Sequence, residues 1–391
     1  MGTPAPRIDL LDPDFYVDGA SEAYRWMHGH SPVHYDEGNG VWGLATYAAV
    51  GAAEGNPTVF SNAGGSRPDT GPLPWMIDMD GSDHRKRRKL VSHAFTPARM
   101  RDLAPRIRAI CDELIDAFCE RGESDLRHDF AAPLPLIVIC DMLGVPAVDR
   151  DSMLLWSDGI LGALRGGDES LQDAATSFGA FTEYAHRLIA YRRTRPEDDL
   201  VSVLVHAEVD GDRLDDDELV FEMPLLLLGG DETTRNVTCG GMEQLLDHPA
   251  QARGLREEPG RLGNAVEEML RWVSPIKSMN RTLTRDLELG GRLLREGGTA
   301  LLLYEAANFD EAQFEDPGGF DVGRAPNEHI AFGFGPHFCL GAALARLELR
   351  HGFDRLLDRL PDLEPASIGP PPRSITGISE MPVRFRPTAA S

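Results

Sequence analysis

Cys339 is one of five cysteines in the 391-residue chain, and its neighbours set it apart. It follows Phe332-Gly333-Phe334-Gly335-Pro336-His337-Phe338 and precedes Leu340-Gly341-Ala342-Ala343-Leu344-Ala345-Arg346-Leu347-Glu348, a run rich in helix formers. The sulfur is therefore expected at a helix N-terminus, where unpaired N–H groups and the helix dipole favour negative charge. That environment lowers a thiol pKa and favours the thiolate. A buried core cysteine at a helix start is the plain alternative. Gly333 and Gly335 let the preceding backbone turn tightly and expose N–H groups to the sulfur. Three other groupings have suggestive types and spacing. Glu232-Thr233 pairs a proton-carrying carboxyl with a hydroxyl, suited to positioned acid–base work, or is an ordinary helix surface. Glu268 and Arg271, at i and i+3, share a helix face. His84 and Arg88, at i and i+4, place two cations on one face of one helix, with a plain surface histidine as the alternative.

These residues need elements to hold them. From about 84 to 270 the pattern is mostly helical, for example over 107–120, where Ile107, Ile110, Leu114 and Phe118 repeat every three to four residues. A long helix is predicted from Asp215-Asp216-Asp217, acids suited to a helix start, through Leu225–Leu228 to about Leu246. It contains Pro224 and Gly229-Gly230, which cost about 3 and about 1 kcal/mol per residue in a helix and so mark a kink or a close approach. Gly166-Gly167-Asp168 reads as a break, and Val209-Asp210-Gly211-Asp212 as a hairpin tip. Residues 61–74 are a loop by composition. From about 276 to 304 the pattern turns strand-like, at Leu287–Gly291 and then Ala300–Tyr304, and a strand and loop are expected over 374–387. No repeat, low-complexity tract or dividing linker is evident, so residues 1–391 are read as a single domain, mainly α with small β-sheets near both ends.

An odd cysteine count (Cys111, Cys119, Cys140, Cys239, Cys339) without CxxC spacing argues against a disulfide framework or structural zinc, and for a reducing, cytoplasmic setting. No apolar run approaches the roughly 20 residues that span a bilayer, and the N-terminus lacks an apolar signal-peptide core, so no transmembrane anchor is expected. A formal charge of −24 disfavours nucleic acid and anionic membranes. The basic run His84-Arg85-Lys86-Arg87-Arg88-Lys89 breaks that trend. It is a nucleic-acid patch or, better suited to an acidic chain, a site for an acidic ligand or acidic protein.

Four separated segments resemble the cytochrome P450 family, in family order. Phe332–Gly341 matches its FGxGxHxCxG haem-binding segment and Glu268–Arg271 its ExxR. Gly229-Gly230-Asp231-Glu232-Thr233-Thr234 looks like its oxygen-binding helix, and His84–Arg88 like its HxxxR helix. The resemblance spans essentially the whole chain and implies the P450 fold, with haem between a long central helix and the cysteine-loop helix. It implies haem b (iron protoporphyrin IX) ligated by Cys339, since a thiolate pushes electron density that favours O–O cleavage. Phe332 would shield the sulfur and Gly341 would let the porphyrin lie close. Gly229 and Gly230 would leave room for dioxygen, Thr233 would hold the bound oxygen and a water, and Glu232 would relay protons, with Thr234 a bystander. His84, Arg88, Arg281 and His337 would bind the propionates. Glu268, Arg271 and Arg324 would form the buried network that holds the cysteine loop. Some of Arg85, Lys86, Arg87 and Lys89 would dock an acidic ferredoxin, itself served by a ferredoxin reductase.

The segment Ala306-Ala307-Asn308-Phe309-Asp310-Glu311-Ala312 departs from the AANRDP of many bacterial members. With Asn62–Gly65, Trp75–Asp80 and Leu228–Arg235, it resembles the actinobacterial subfamily that oxidises the terminal methyl carbon of the cholesterol side chain. The resemblance implies hydroxylation of cholesterol or cholest-4-en-3-one at position 26 or 27. Trp75, Met76, Leu226, Ile276, Met279, Ile375 and Ile378 would then line an apolar pocket, or belong in part to the core. A polyketide or macrolide is the alternative substrate. A peroxide-driven enzyme, a haem carrier and a nucleic-acid module are more distant rivals.

Overall fold

The computed structural model describes residues 6–68, 71–93, 95–163, 168–208, 211–375 and 377–390. In chain order the elements are α1 (Ala20–His30), β1 (Val33–Asp36), β2 (Val41–Leu44), α2 (Tyr47–Glu54), β3 (Phe60–Ser61), α3 (Gly81–Ser92), α4 (Pro97–Asp116), β4 (Glu123–Asp125), α5 (Pro133–Leu143), α6 (Arg150–Gly162), α7 (Asp168–Thr194), α8 (Leu200–His206), α9 (Asp216–Asp247), α10 (Pro249–Glu257) and α11 (Leu262–Val273). There follow β5 (Ser278–Leu283), β6 (Leu287–Leu289), β7 (Arg292–Leu294), β8 (Thr299–Leu303), α12 (Tyr304–Asn308), α13 (Ala342–Arg359), β9 (Glu364–Pro365), β10 (Arg373–Ser374), β11 (Gly377–Ile378) and β12 (Pro382–Arg384). Helix dominates and the sheets are small, as the sequence implied.

The chain divides into two compact units, one from Met1–Lys86 and Leu270–Cys339, the other from Arg87–Met269 and Leu340–Ser391. The first is built on a five-stranded sheet of order β1-β2-β8-β5-β3, in which β2 and β8 run parallel and the other pairs antiparallel. Its centre is β8, sequence TALLL. Successive side chains point to opposite faces. Accordingly Ala300 and Leu302 join a cluster with Val50, Phe60 and Leu283, while Leu301 and Leu303 join one with Leu10, Tyr24 and Met27. A strand covered on both faces reads as an unbroken apolar run.

The second unit is built around α9. Asp215 caps it: its carboxylate accepts the Glu218 N–H at 2.8 Å, and Glu218 returns the bond to the Asp215 N–H at 3.0 Å. Pro224 lies inside the helix without ending it. It removes one i→i−4 bond, to the Val220 carbonyl, but Leu219, Val220, Met223, Leu226 and Leu227 around it are all buried. Burial at about 1.5–3 kcal/mol per large apolar side chain outweighs that loss. Gly230 and Gly241 are close-approach points: a Cβ on Gly230 would sit 3.0 Å from Ile139 of α5, and one on Gly241 2.9 Å from Met269 and Phe353.

The helix expected over 107–120 runs instead over Pro97–Asp116. Thr96 accepts the Arg99 N–H at 3.3 Å and Pro97 takes the first helical position, a start signal that apolar spacing alone does not show. Gly166, Gly167, Val209 and Asp210 lie outside the described residues. Asp168 opens α7, and Gly211 has φ +85°.

Candidate functional site

The cysteine loop belongs to the first unit. Gly335–His337 forms one 3-10 turn, and α13 begins only at Ala342 with Gly341 as its cap. Cys339 thus lies just ahead of the helix rather than in its first turn. The loop is closed by hydrogen bonds from Cys339 N–H to the Phe332 carbonyl (2.9 Å), Phe338 N–H to Gly335 (3.1 Å) and Gly333 N–H to Ile330 (2.9 Å). Gly333 and Gly335 have φ of +68° and +69°, so the tight turns inferred from the glycines are present. Cys339 is half-buried, whereas Cys111, Cys119, Cys140 and Cys239 are buried. Phe332 is half-buried, edge-on to Phe338 with ring centroids 6.2 Å apart.

Three of the four expected propionate ligands lie in the same unit. His84 is buried and its ring stacks on His337, centroids 4.0 Å apart. His337 Nε2 is buried without a hydrogen-bond partner among the described residues, 3.8 Å from Asp80 Oδ1. Asp80 Oδ2 accepts the Ser61 hydroxyl at 2.5 Å and the Asn62 N–H at 3.0 Å. Burial pushes the Asp80 carboxyl up, but His337, Ser61 and the N–H groups of Asn62 and Ala63 outweigh it and hold it at about 2. Arg281, on β5, is buried and paired with Glu54 at 3.1 Å. Arg88 is half-buried on α3, one turn beyond His84.

The basic run divides by helix face. Arg85, Lys86 and Lys89 are exposed. Arg87 is not a docking cation: it is buried and bonds Glu218 at 2.5 Å and Glu222 at 3.2 Å on α9. The helical period, not the charge, decides which residues of such a run face inward.

On α9 the two glycines differ. A Cβ on Gly229 would meet nothing within 4 Å, whereas Gly230 is packed against Ile139. Only Gly229 leaves space; Gly230 serves helix packing. The Thr233 hydroxyl donates to the Gly229 carbonyl at 2.9 Å, and Glu232 is buried. Their neighbours form polar contacts that the motif did not announce. Asp231 is fully buried and accepts the Ser157 hydroxyl at 3.0 Å, and Arg235 pairs with Asp158 at 3.1 Å. Thr234 is buried, and so is Glu348 of α13, whose carboxyl burial pushes well up against an opposing pull from Thr234.

Glu268 and Arg271 are both fully buried on α11. Arg271 donates to the carbonyls of Asn308 and Pro317, each at 2.9 Å, and of Gly319 at 3.4 Å. Arg324 donates to Glu315 (2.7 Å), Asp316 (3.0 Å) and the same Gly319 oxygen (2.8 Å). Two guanidinium forks therefore grip one stretch of backbone ahead of the cysteine loop. The departure at Phe309 has a physical account: its ring lies 5.1 Å from the Arg271 guanidinium and 5.3 Å from the Trp272 ring.

The pocket candidates are divided between the two units. Ile276 and Met279 pack against the Val50–Phe60–Leu302 core of the first unit. In the same unit Met76 is buried, and the Trp75 indole donates to Asp78 at 2.8 Å. In the second unit Leu226 and Ile378 are buried, and Ile375 is half-buried at the turn between β10 and β11.

These residues fit a haem. The donor set pairs one half-buried thiol with imidazole and guanidinium groups suited to carboxylates. In the first unit His337 presents a buried nitrogen without a hydrogen-bond partner among the described residues; in the second, the Cβ directions of Gly229 and Gly341 are open. Such a set defines a haem-thiolate protein. The sequence profile described as Cytochrome P450 matches residues 168–378. A Steroid C26-monooxygenase from Mycobacterium tuberculosis is 51% identical over 394 residues, covering 99% of both chains. One from Mycolicibacterium smegmatis is 50% identical, covering 98% of this chain and 97% of the relative. The crystal structure of CYP109E1 from Bacillus megaterium in complex with testosterone superposes with a TM-score of 0.85 at 33% identity, covering 93% of this chain and 98% of that one. The chain belongs to the cytochrome P450 family, and is a monooxygenase that carries haem b. Among the described residues no helix is long and apolar enough to cross a membrane.

Proposed function

We propose that the protein hydroxylates the side-chain terminus of a steroid such as cholesterol or cholest-4-en-3-one. The observation that carries this substrate class is 51% identity, along 99% of both chains, to a steroid C26-monooxygenase. When bound, haem with a thiolate ligand supplies activation of dioxygen. The chain's residues supply the rest. Cys339, held by the Gly333–Gly335 turn, would ligate the iron. His84, Arg88, Arg281 and His337 would hold the propionates by charge-assisted hydrogen bonds. The space beside Gly229 admits dioxygen. The Thr233 hydroxyl, now donating to the Gly229 carbonyl, is within one bond rotation of a new partner. Glu232 passes protons to it from its buried position. Arg271 and Arg324, with Glu268, keep the backbone ahead of the cysteine loop in place and do no chemistry. Electrons come from a ferredoxin served by its reductase, in the cytoplasm, with Arg85, Lys86 and Lys89 offered to an acidic donor. The whole of residues 1–391 acts as one catalytic domain in this reading.

Optical titration of the ferric holoprotein with cholest-4-en-3-one tests the substrate. A saturable blue shift of the Soret band is expected, followed by product oxidised at the terminal methyl carbon. A normal thiolate-type ferrous–carbon monoxide spectrum with no shift would overturn the steroid assignment while leaving the oxygenase chemistry.

A further inference from the structure

Glu54 ends α2, and its side chain is 3% exposed. A carboxylate survives at that depth only when paired and hydrogen-bonded. Arg281 Nη2 donates to Oε2 at 3.1 Å, and the Tyr304 hydroxyl donates to Oε1. All three side chains are buried, and burial pushes the Tyr304 hydroxyl up against the pull of Arg281, so it remains a donor. Arg281 Nη1 is also tied to the Asn280 carbonyl at 2.8 Å, so the plane of its fork is set in advance.

The same glutamate touches the cysteine loop twice. A Cβ on Gly333 would lie 3.2 Å from Glu54 Oε1 and 3.8 Å from the Tyr304 hydroxyl. A Cβ on Gly335 would lie 2.7 Å from the Glu54 carbonyl oxygen. The turn that leads into Cys339 is therefore laid directly on this residue.

We propose that Glu54, with Tyr304, is a positioning residue for the haem-thiolate centre: it braces the Gly333–Gly335 turn that presents Cys339 and aims the Arg281 guanidinium at the cofactor's carboxylates. The inference rests on Cys339 as the iron ligand. It also gives Glu54 an electrostatic role. A buried carboxylate opposes the arrival of an electron nearby, and its removal leaves the Arg281 charge uncompensated.

Two variants test this in the holoprotein. Tyr304→Phe removes one hydrogen bond and keeps the charges. Glu54→Gln keeps the shape and removes the charge. Haem transfer to apomyoglobin is expected to be about tenfold faster in both, the size set by loss of a hydrogen bond to a charged group. The reduction potential of the ferric/ferrous couple is expected to shift positive in Glu54→Gln and to stay near the parent value in Tyr304→Phe. Wild-type haem retention in both variants, with an unchanged potential in Glu54→Gln, would overturn the proposal; Tyr304→Phe decides retention if Glu54→Gln fails to fold. A parent protein without a thiolate-type ferrous–carbon monoxide band would instead overturn the Cys339 assignment, and this inference with it.

Discussion

Gly333 and Gly335 share nearly the same φ, +68° and +69°, but not the same surroundings, and alanine at each separates conformational strain from steric conflict. The left-handed conformation costs an L-residue about 1–2 kcal/mol. At Gly333 that is nearly the whole cost. The atom a new Cβ meets is Glu54 Oε1 at 3.2 Å, a contact that a shift of a few tenths of an ångström relieves without breaking the bonds to Arg281 and Tyr304. At Gly335 the Cβ meets the Glu54 backbone carbonyl at 2.7 Å, which moves only with the end of α2. Overpacking of that kind adds about 1–3 kcal/mol. The expected losses are therefore about 1–2 kcal/mol for Gly333→Ala and about 2–5 kcal/mol for Gly335→Ala. Urea unfolding of the ferric holoprotein, followed by haem absorbance, measures the loss. The fraction of thiolate-type ferrous–carbon monoxide band reports whether the sulfur is still presented correctly. A Gly333→Ala loss equal to or greater than that of Gly335→Ala would refute the reasoning, because shared φ and unequal clash allow only the opposite order.

Asp80→Asn is expected to cost about 1–2 kcal/mol at pH 7. The Asp80 carboxyl is held at about 2 against an ordinary 3.8, and the side chain is 25% exposed, which discounts the full value. A lowered folded-state pKa gives stability that is complete above about pH 4 and lost as pH falls toward 2. The gap between parent and variant in urea midpoints should therefore close over that range; a gap independent of pH would contradict the assignment. Gly229→Ala should leave folding stability equal or raise it by up to about 1 kcal/mol, whereas Gly230→Ala should lower it by pressing on Ile139, and thermal melts of the two variants will show the order. Arg87→Met should destabilise by about 3–5 kcal/mol by removing the buried cation that pairs with the Glu222 carboxylate, while Arg85→Met should change stability by less than about 0.5 kcal/mol. Equal melting temperatures for these two would contradict the inward placement of Arg87.

Local signals carried far. Three acids before an apolar run placed the start of α9 to within a residue, and Gly333 and Gly335 marked their turns because the left-handed region admits few other residues. What sequence spacing missed is non-local. Glu54 and Tyr304 are 250 residues apart, and nothing near either one marks the bond between them. The fate of Arg87 depended on the phase of a helix whose six-residue basic run has no apolar stripe to set it. Ile276 and Met279 pack against the first unit's core while staying partly buried, and an apolar side chain near a motif carries no mark in the sequence distinguishing core from cavity. In α4 the start signal, Thr96-Pro97, was present in the sequence but lay ten residues before the apolar spacing became regular.

The cysteines have a practical consequence. Burial pushes the Cys140 and Cys239 thiols up to about 12 and Cys111 higher still, so at neutral pH they hold almost no thiolate, and Cys119 is as deeply enclosed. Cys339 alone of the five is half-buried. An alkylating reagent applied to the folded protein thus meets one accessible sulfur, and coordination to iron would cover it. The mass added per chain then counts the molecules that lack cofactor, a gauge of haem loading written into the fold and read without any spectrum.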